Sequence, residues 1–427
     1  MSGTDRAAVM AQAARLWAQG RHADAVADIA ALHRRAPTDA DLALRLGAAL
    51  VQLGRTLEAV HAMEPAAALA PRDHPLHDWL GRALSVVHWQ ERGPEAIGPL
   101  RARLAEDQAD PRRHTALATA LLSCGNLAEA WPHYARRWQS MPDAHRRPAD
   151  PLQRPDPAAW RGRRVLLFAE QGYGDSLQFL RYVPLVMAAG AEVVVEVDPP
   201  LRRLAETLPG RPAVVAVGDP VPAHDFAVPL LHLPWAFGTD LASIPAAIPY
   251  FTPDPAAVAA WRARLAGLAG LKVGLVWAGD PRPDNEPAFR IDRRRSFGLA
   301  ALAPLATVSG VSFVSLQKGP AAAQAAAPPP GMVLHDWTGA LGDFAATAAL
   351  MQALDLVISA DTAPLHLAGA LGRPVWLLDR YDSCWRWLRE REDSPWYPTL
   401  RRFRQASPGD WAGAVARMAA ALAAQAR

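Results

Sequence analysis

The stretch Arg164–Val197, RVLLFAEQGYGDSLQFLRYVPLVMAAGAEVVVEV, reads as one β-loop-α-β unit. Its first strand is the apolar run Arg164–Phe168. A glycine-containing turn, Glu170-Gln171-Gly172-Tyr173-Gly174-Asp175, follows. A helical pattern then runs from Ser176 to Ala189, and Ala191–Val197 is a second strand. Continuous apolar strands separated by a helix are the mark of a parallel sheet buried on both faces. Open sheets of this kind bind ligands at the carboxyl ends of their strands, where this turn lies. The turn does not complete a dinucleotide fingerprint, because Leu177 stands where the third glycine would be.

Working outward, the pattern repeats. Val214–Val217 and Phe226–Val228 are further strand candidates. A proline-rich passage, 245–255, leads into a second series with strands at Val273–Trp277, Ser312–Leu316, Leu356–Ser359 and Val375–Leu378. Helices are expected over Gly342–Ala353 and Pro364–Leu371. Two consecutive Rossmann-like halves with a cleft between them describe a GT-B type architecture.

The first third is different. Residues 8–138 are rich in Ala and Leu, and Pro37/Pro71, Gly20/Gly54 and Ala25/Ala59 each recur at a spacing of 34 residues. That is the period of tetratricopeptide repeats, pairs of antiparallel helices that stack into a solenoid. A third unit begins at Leu80-Gly81 and is disturbed over Val87–Pro94, and a fourth shows Leu117, Gly125, Ala130 and Tyr134. The stack offers a groove for a partner, or it serves only stability or dimerisation. The expected division is therefore a helical-repeat domain over 1–145, a linker over 146–160, an acceptor-side lobe over 161–255 and a donor lobe over 256–427.

Composition narrows the function. With 51% hydrophobic and 20% charged residues the chain is globular. A net charge of +3 argues against nucleic acid as a partner, which calls for a concentrated basic excess. No apolar run is long enough for a transmembrane helix, and Met1–Trp17 lacks the apolar core of a secretory signal. Two distant cysteines, Cys124 and Cys384, form no disulfide framework or CxxC site, so a cytoplasmic location is expected. Only Lys272 and Lys318 are lysines against an arginine background, so a lysine inside a motif carries information.

The sharpest constellation is Ile358-Ser359-Ala360-Asp361-Thr362-Ala363-Pro364-Leu365-His366-Leu367-Ala368. A strand ends at Asp-Thr and a helix begins beside Pro364. Backbone N–H groups at such a start can hold a pyrophosphate, with a hydroxyl from Thr362. The alternative is that Asp361 or Thr362 caps the helix and His366 is packed. Asp175 likewise has two readings, a helix cap or a base facing the cleft.

These motifs, in this order, resemble the bacterial heptosyltransferase-like glycosyltransferases, and more closely the proteins that fuse such a domain to tetratricopeptide repeats. The resemblance covers roughly residues 160–405. It rests on Glu170–Asp175, Gly274-Leu275-Val276-Trp277-Ala278-Gly279, Arg295-Ser296, Ser315-Leu316-Gln317-Lys318-Gly319, the Asp361 motif, Cys384-Trp385-Arg386-Trp387 and Asp393-Ser394-Pro395-Trp396-Tyr397-Pro398. It implies a nucleotide-diphosphate sugar as donor, no further cofactor and no metal. Asp361, Thr362 and His366 would contact the donor, and Lys318 would neutralise phosphate. The turn glycines Gly172 and Gly174 would line the cleft. Asp175 would be the general base, with Glu170 as substitute. The acceptor would be a protein, peptide or glycan. Trp385, Trp387 and Trp396 would stack on a sugar or base, or else pack in the core. The short first lobe and the added repeats depart from the heptosyltransferase pattern. A binding or scaffold protein with a degenerate domain is the alternative of a different class.

Overall fold

The computed structural model describes residues 3–71, 74–76, 79–80, 83, 94, 97–141, 145–146 and 148–426. It divides into two compact units, Met1–Glu106 and Asp107–Arg427.

The first unit is helical. Helices Gly3–Ala18 and His22–His33 form one hairpin, and Ala40–Gln52 and Thr56–Ala67 form the next. Gly20 (φ 78°) and Gly54 (φ 75°) supply the left-handed residue that closes each turn. Ala25, Ala59 and Met63 are fully buried. A side chain at Gly47 would collide with Met63, so the glycine sets how closely the second pair of helices meets. Asp39 caps Ala40–Gln52 by accepting from Leu42 N (3.0 Å), and it also pairs with Arg6 at 2.6 Å. Helix Ile97–Glu106 ends the unit. Gly81 and Val87–Gly93, where the sequence places the disturbed third repeat, lie outside the described residues.

The second unit begins with another helical hairpin, Pro111–Ser123 and Leu127–Ala135. The sequence groups these helices with the repeats, yet their buried faces meet the α/β lobes. Trp131 donates from Nε1 to Thr239 O (2.8 Å). Trp138 packs edge-on against Phe168. Both tryptophans are essentially fully buried.

Two parallel sheets follow. In the first, β1 (Arg164–Phe168), β2 (Glu192–Val197), β3 (Ala213–Ala216) and β4 (Phe226–Pro229) run in the order β3-β2-β1-β4. In the second, β5 (Leu271–Val276), β6 (Val311–Ser315), β7 (Leu334–Asp336), β8 (Leu356–Ser359), β9 (Val375–Asp379) and β10 (Leu400–Arg404) run β10-β9-β8-β5-β6-β7. All of their pairings are parallel. Val273, Leu275, Leu356, Ile358 and Leu378 fill the second core, against Met418 and Leu422 of helix Trp411–Gln425. This is a GT-B-like α/β fold. The helix expected over Ser176–Ala189 is broken into Tyr173–Phe179, a tight turn at Leu180–Tyr182, and Val183–Ala188. Pro184, which has no N–H to donate, sits at the start of the last piece.

The two lobes meet closely. Helix Tyr173–Phe179 packs on helix Ala363–Ala370. Arg181 Nη1 donates to Trp396 O (2.6 Å), and Tyr250 N donates to Ala370 O (3.1 Å).

Candidate active site

The carboxyl edge of the second sheet is built by the ends of β8, β5, β6 and β9. After β8 the chain turns through Ala360, Asp361 and Thr362 into helix Ala363–Ala370, with Pro364 in its first turn. Neither acidic nor hydroxyl side chain caps this helix. Thr362 has extended backbone and no capping hydrogen bond, and its hydroxyl reaches only Ala360 O at 3.4 Å. Pro364 has no N–H and Leu365 N donates to Thr362 O (3.0 Å), so the helix start offers the Ala363 N–H, and the dipole there favours an anion. Asp361 is buried, and its backbone carbonyl accepts from Arg295 Nη1 at 3.0 Å. Burial, and then the neighbouring Asp379, push the Asp361 carboxyl above the usual carboxylate range.

Lys318 follows β6 on the same edge, with β5 between it and β8. Its backbone is held through Gln317, whose Oε1 accepts from Trp277 N and Ala278 N (both 2.9 Å) and whose Nε2 donates to Lys318 O (2.8 Å). The Lys318 amine is exposed and donates to Thr338 O at 2.9 Å.

His366 lies one turn into the helix and faces the seam between lobes. Its Nδ1 is 3.0 Å from Tyr397 Oη, and its ring stacks on Trp387 at 5.3 Å. Full burial, reinforced by Arg386, holds its pKa well below the ordinary value, so it is neutral. Gly174 sits against the other side of this ring. The structure thus brings Gly174 and His366 together as a packing contact. Asp361, Thr362 and Lys318 share the sheet edge.

Asp175 is placed by its helix. The helix begins at Tyr173 rather than Ser176, with Gly172 at its N-cap, so Asp175 occupies the third helical position, where it accepts from Gly172 N at 3.0 Å. Its other oxygen is ion-paired with Arg386 of the donor lobe. Arg386 also donates from Nε to Gln178 Oε1 (2.6 Å), tying the two lobes at one point. Glu170 is more enclosed. Arg137 donates to both of its oxygens (Nη2–Oε1 2.5 Å, Nε–Oε2 3.0 Å), and its side chain is only 2% exposed. Burial raises its pKa against the pull of Arg137. Both oxygens of this carboxylate are thus engaged, and it anchors Arg137. Trp385, Trp387 and Trp396 are buried, with Trp385 against Trp131 (6.0 Å) and Trp396 (6.2 Å), so the packing reading describes them.

Arg295 and Arg386 stand in the motifs quoted above, whereas Arg294 and Arg380 escaped sequence reasoning. Arg294 and Arg295 end helix Glu286–Arg295, Arg380 follows β9, and Arg386 lies in the Trp-Arg-Trp turn. Arg294 pairs with Asp382 (2.5 Å), and Arg380 lies 3.1 Å from the same carboxylate. Arg295 pairs with Asp292 at 3.0 Å while reaching the Asp361 carbonyl. Against an arginine-rich background, nothing in the spacing of Arg294 and Arg380 marks them. The arrangement presents cationic groups and a helix start around one edge, which suits binding of a phosphorylated ligand.

A family model described as Glycosyltransferase family 9 (heptosyltransferase) matches residues 340–378, which span β8, the Asp361 motif and most of β9. Protein FlbA of Caulobacter vibrioides is 30% identical, over 90% of this chain and 73% of that protein. Among solved structures, E. coli ADP-heptose lps heptosyltransferase II is 13% identical with a TM-score of 0.42, covering 61% of this chain and 99% of that one. The glycosyl transferase family 9 protein from Veillonella parvula is 11% identical with a TM-score of 0.42, covering 58% and 87%. A Thermobaculum terrenum O-GlcNAc transferase mutant is 16% identical with a TM-score of 0.27, covering 100% and 94%. The chain belongs to one family with Protein FlbA, and its segment 340–378 matches the family model described as glycosyltransferase family 9 (heptosyltransferase).

Proposed function

We propose that this protein transfers a sugar from a nucleotide-diphosphate sugar to a protein, peptide or glycan acceptor, with inversion and without metal, in the cytoplasm. The observation that carries the reading is the uncapped helix start at Thr362, flanked by Arg295 and Arg380 at the carboxyl edge of β8 and β9. The acceptor oxygen attacks the anomeric carbon and gives its proton to Asp175. The anomeric C–O bond breaks, and the nucleoside diphosphate leaves with the electron pair. The helix-start N–H and cationic side chains, Lys318 among them, stabilise the charge that grows on the leaving phosphate. The 34-residue helical hairpins of the first unit are read as tetratricopeptide repeats that hold the acceptor.

A second reading is a non-catalytic binding protein. It is favoured by the Asp175–Arg386 ion pair, which engages the oxygen a base would use. One experiment separates the two. The full chain is melted with UDP-, GDP- and ADP-sugars in EDTA, and donor hydrolysis is followed on whichever stabilises it. A ligand at about 100 times its Kd adds roughly 2.7 kcal/mol. Stabilisation with turnover supports the enzyme, and stabilisation without turnover supports the binding protein. No response to any nucleotide sugar overturns the donor site.

A further inference from the structure

We infer that Arg380 is the residue that grips the leaving phosphate of the donor. This inference rests on the donor reading above and assigns it to a residue outside the sequence motifs.

The placement is set by strand register. Ser359 of β8 pairs with Leu377 of β9, so Asp361 and Arg380 leave neighbouring strands at the same edge. Helix Ala363–Ala370 begins there with its Ala363 N–H uncapped by any side chain. The Arg380 side chain is 9% exposed. Its Nε and Nη1 are buried and donate no hydrogen bond among the described residues, although Nε lies 3.1 Å from Asp382 Oδ1. Asp382 is shared, because Arg294 holds its other oxygen at 2.5 Å. One carboxylate thus serves two guanidinium groups.

A buried guanidinium with unused donors is costly unless an acceptor completes it. Two other arginines also carry a buried, unused N–H, the half-buried Arg373 at Nε and the buried Arg402 at Nη2. Arg373 lies in the turn before β9, at the opposite edge of the sheet. Arg402 lies within β10 and is bound to Asp379 at 2.7 Å. Arg380 alone of these three stands at the carboxyl edge beside a helix start. Its planar fork matches two phosphate oxygens, whereas the exposed Lys318 amine is a point charge already bonded to Thr338 O. The neighbouring Asp361 carboxylate accepts no hydrogen bond among the described residues and suits a hydroxyl of the attached sugar. The ligand class is therefore a sugar phosphate ester, with phosphate on Arg380 and a hydroxyl on Asp361.

The test is calorimetry on the full chain with inorganic pyrophosphate and with UDP, GDP and ADP, in EDTA. Arg380→Gln should weaken every diphosphate that binds the wild type by roughly 10–100-fold, the loss expected for a charge-assisted bond. Arg380→Lys keeps the charge and removes the fork, and should weaken binding several-fold. If the Gln variant does not fold, the Lys variant decides. Diphosphate affinity unchanged in the folded variant overturns the assignment of Arg380 and leaves the donor reading intact. A wild type that binds none of the four ligands overturns both.

Discussion

A Cβ built on Gly174 lies 2.8 Å from Cδ2 of His366. The two residues come from different lobes, so this glycine sets how closely the lobes approach. Gly174→Ala tests the point because two effects compete. Alanine in a helix gains about 1 kcal/mol over glycine. Overpacking a buried contact costs about 1–3 kcal/mol. The expected outcome is net destabilisation, seen as a lower urea midpoint at unchanged slope. A raised midpoint would show that the His366 ring yields freely.

Asp175→Asn separates capping from catalysis. An amide caps about as well as a carboxylate and accepts no proton. Single-turnover transfer at saturating donor should fall by roughly 10²–10⁴-fold. The melting midpoint should also drop slightly, because the ion pair to Arg386 is lost. Wild-type transfer by this variant would move the base to the acceptor or to another residue.

Truncation should depend sharply on where the chain is cut. Removing residues 1–106 leaves the second unit whole, and a cooperative melt and donor binding should survive. Transfer to a macromolecular acceptor should fall if the repeats hold it. Removing 1–140 also strips Trp131, Trp138 and Arg137, and leaves Glu170 without its guanidinium partner. Loss of such a partner costs about 3–5 kcal/mol. Equal melting midpoints for the two truncations would refute the grouping of this hairpin with the lobes.

Acid should weaken the fold through two buried histidines. His232 is pushed down to about 3 by burial and then by Arg137, and His366 lies well below its ordinary value. The unfolded chain protonates both near pH 6.5, while the fold holds them neutral. Stability is full above that pH and declines as pH falls toward 3, by about 1.4 kcal/mol per unit for each histidine. Glu170 and Asp361 act in the opposite sense, since their raised values let the fold take up a proton first. The difference between wild type and His232→Gln isolates the histidine term. Urea midpoints measured from pH 7 to 4.5 should fall less steeply in the variant.

What could be read from the chain follows from burial. β1, β5, β6, β8 and β9 are apolar runs because they lie inside their sheets or are covered on both faces. β7 and β10 escaped notice because Leu334-His335-Asp336 and Leu400-Arg401-Arg402-Phe403-Arg404 interrupt the apolar run with polar side chains. The glycine turn and the Asp361 motif were legible as local patterns. Arg294 and Arg380 were not, because the fold brings them together across long separations and no local period records it. The ion pair of Glu170 was not legible for the same reason. Its partner Arg137 lies 33 residues earlier, in a helical segment grouped with the repeats.

The outer side of β10 is already occupied. Arg402 N donates to Glu392 O at 2.6 Å, and Arg404 O accepts from Arg417 of the last helix at 2.5 Å. A bare strand margin is a template on which a second molecule can extend the sheet. Here the chain's own 389–393 segment and a guanidinium take up that hydrogen-bonding capacity, while Arg401 projects charge outward. At high concentration, during purification or crowded expression, this margin resists the end-to-end growth that seeds fibrils.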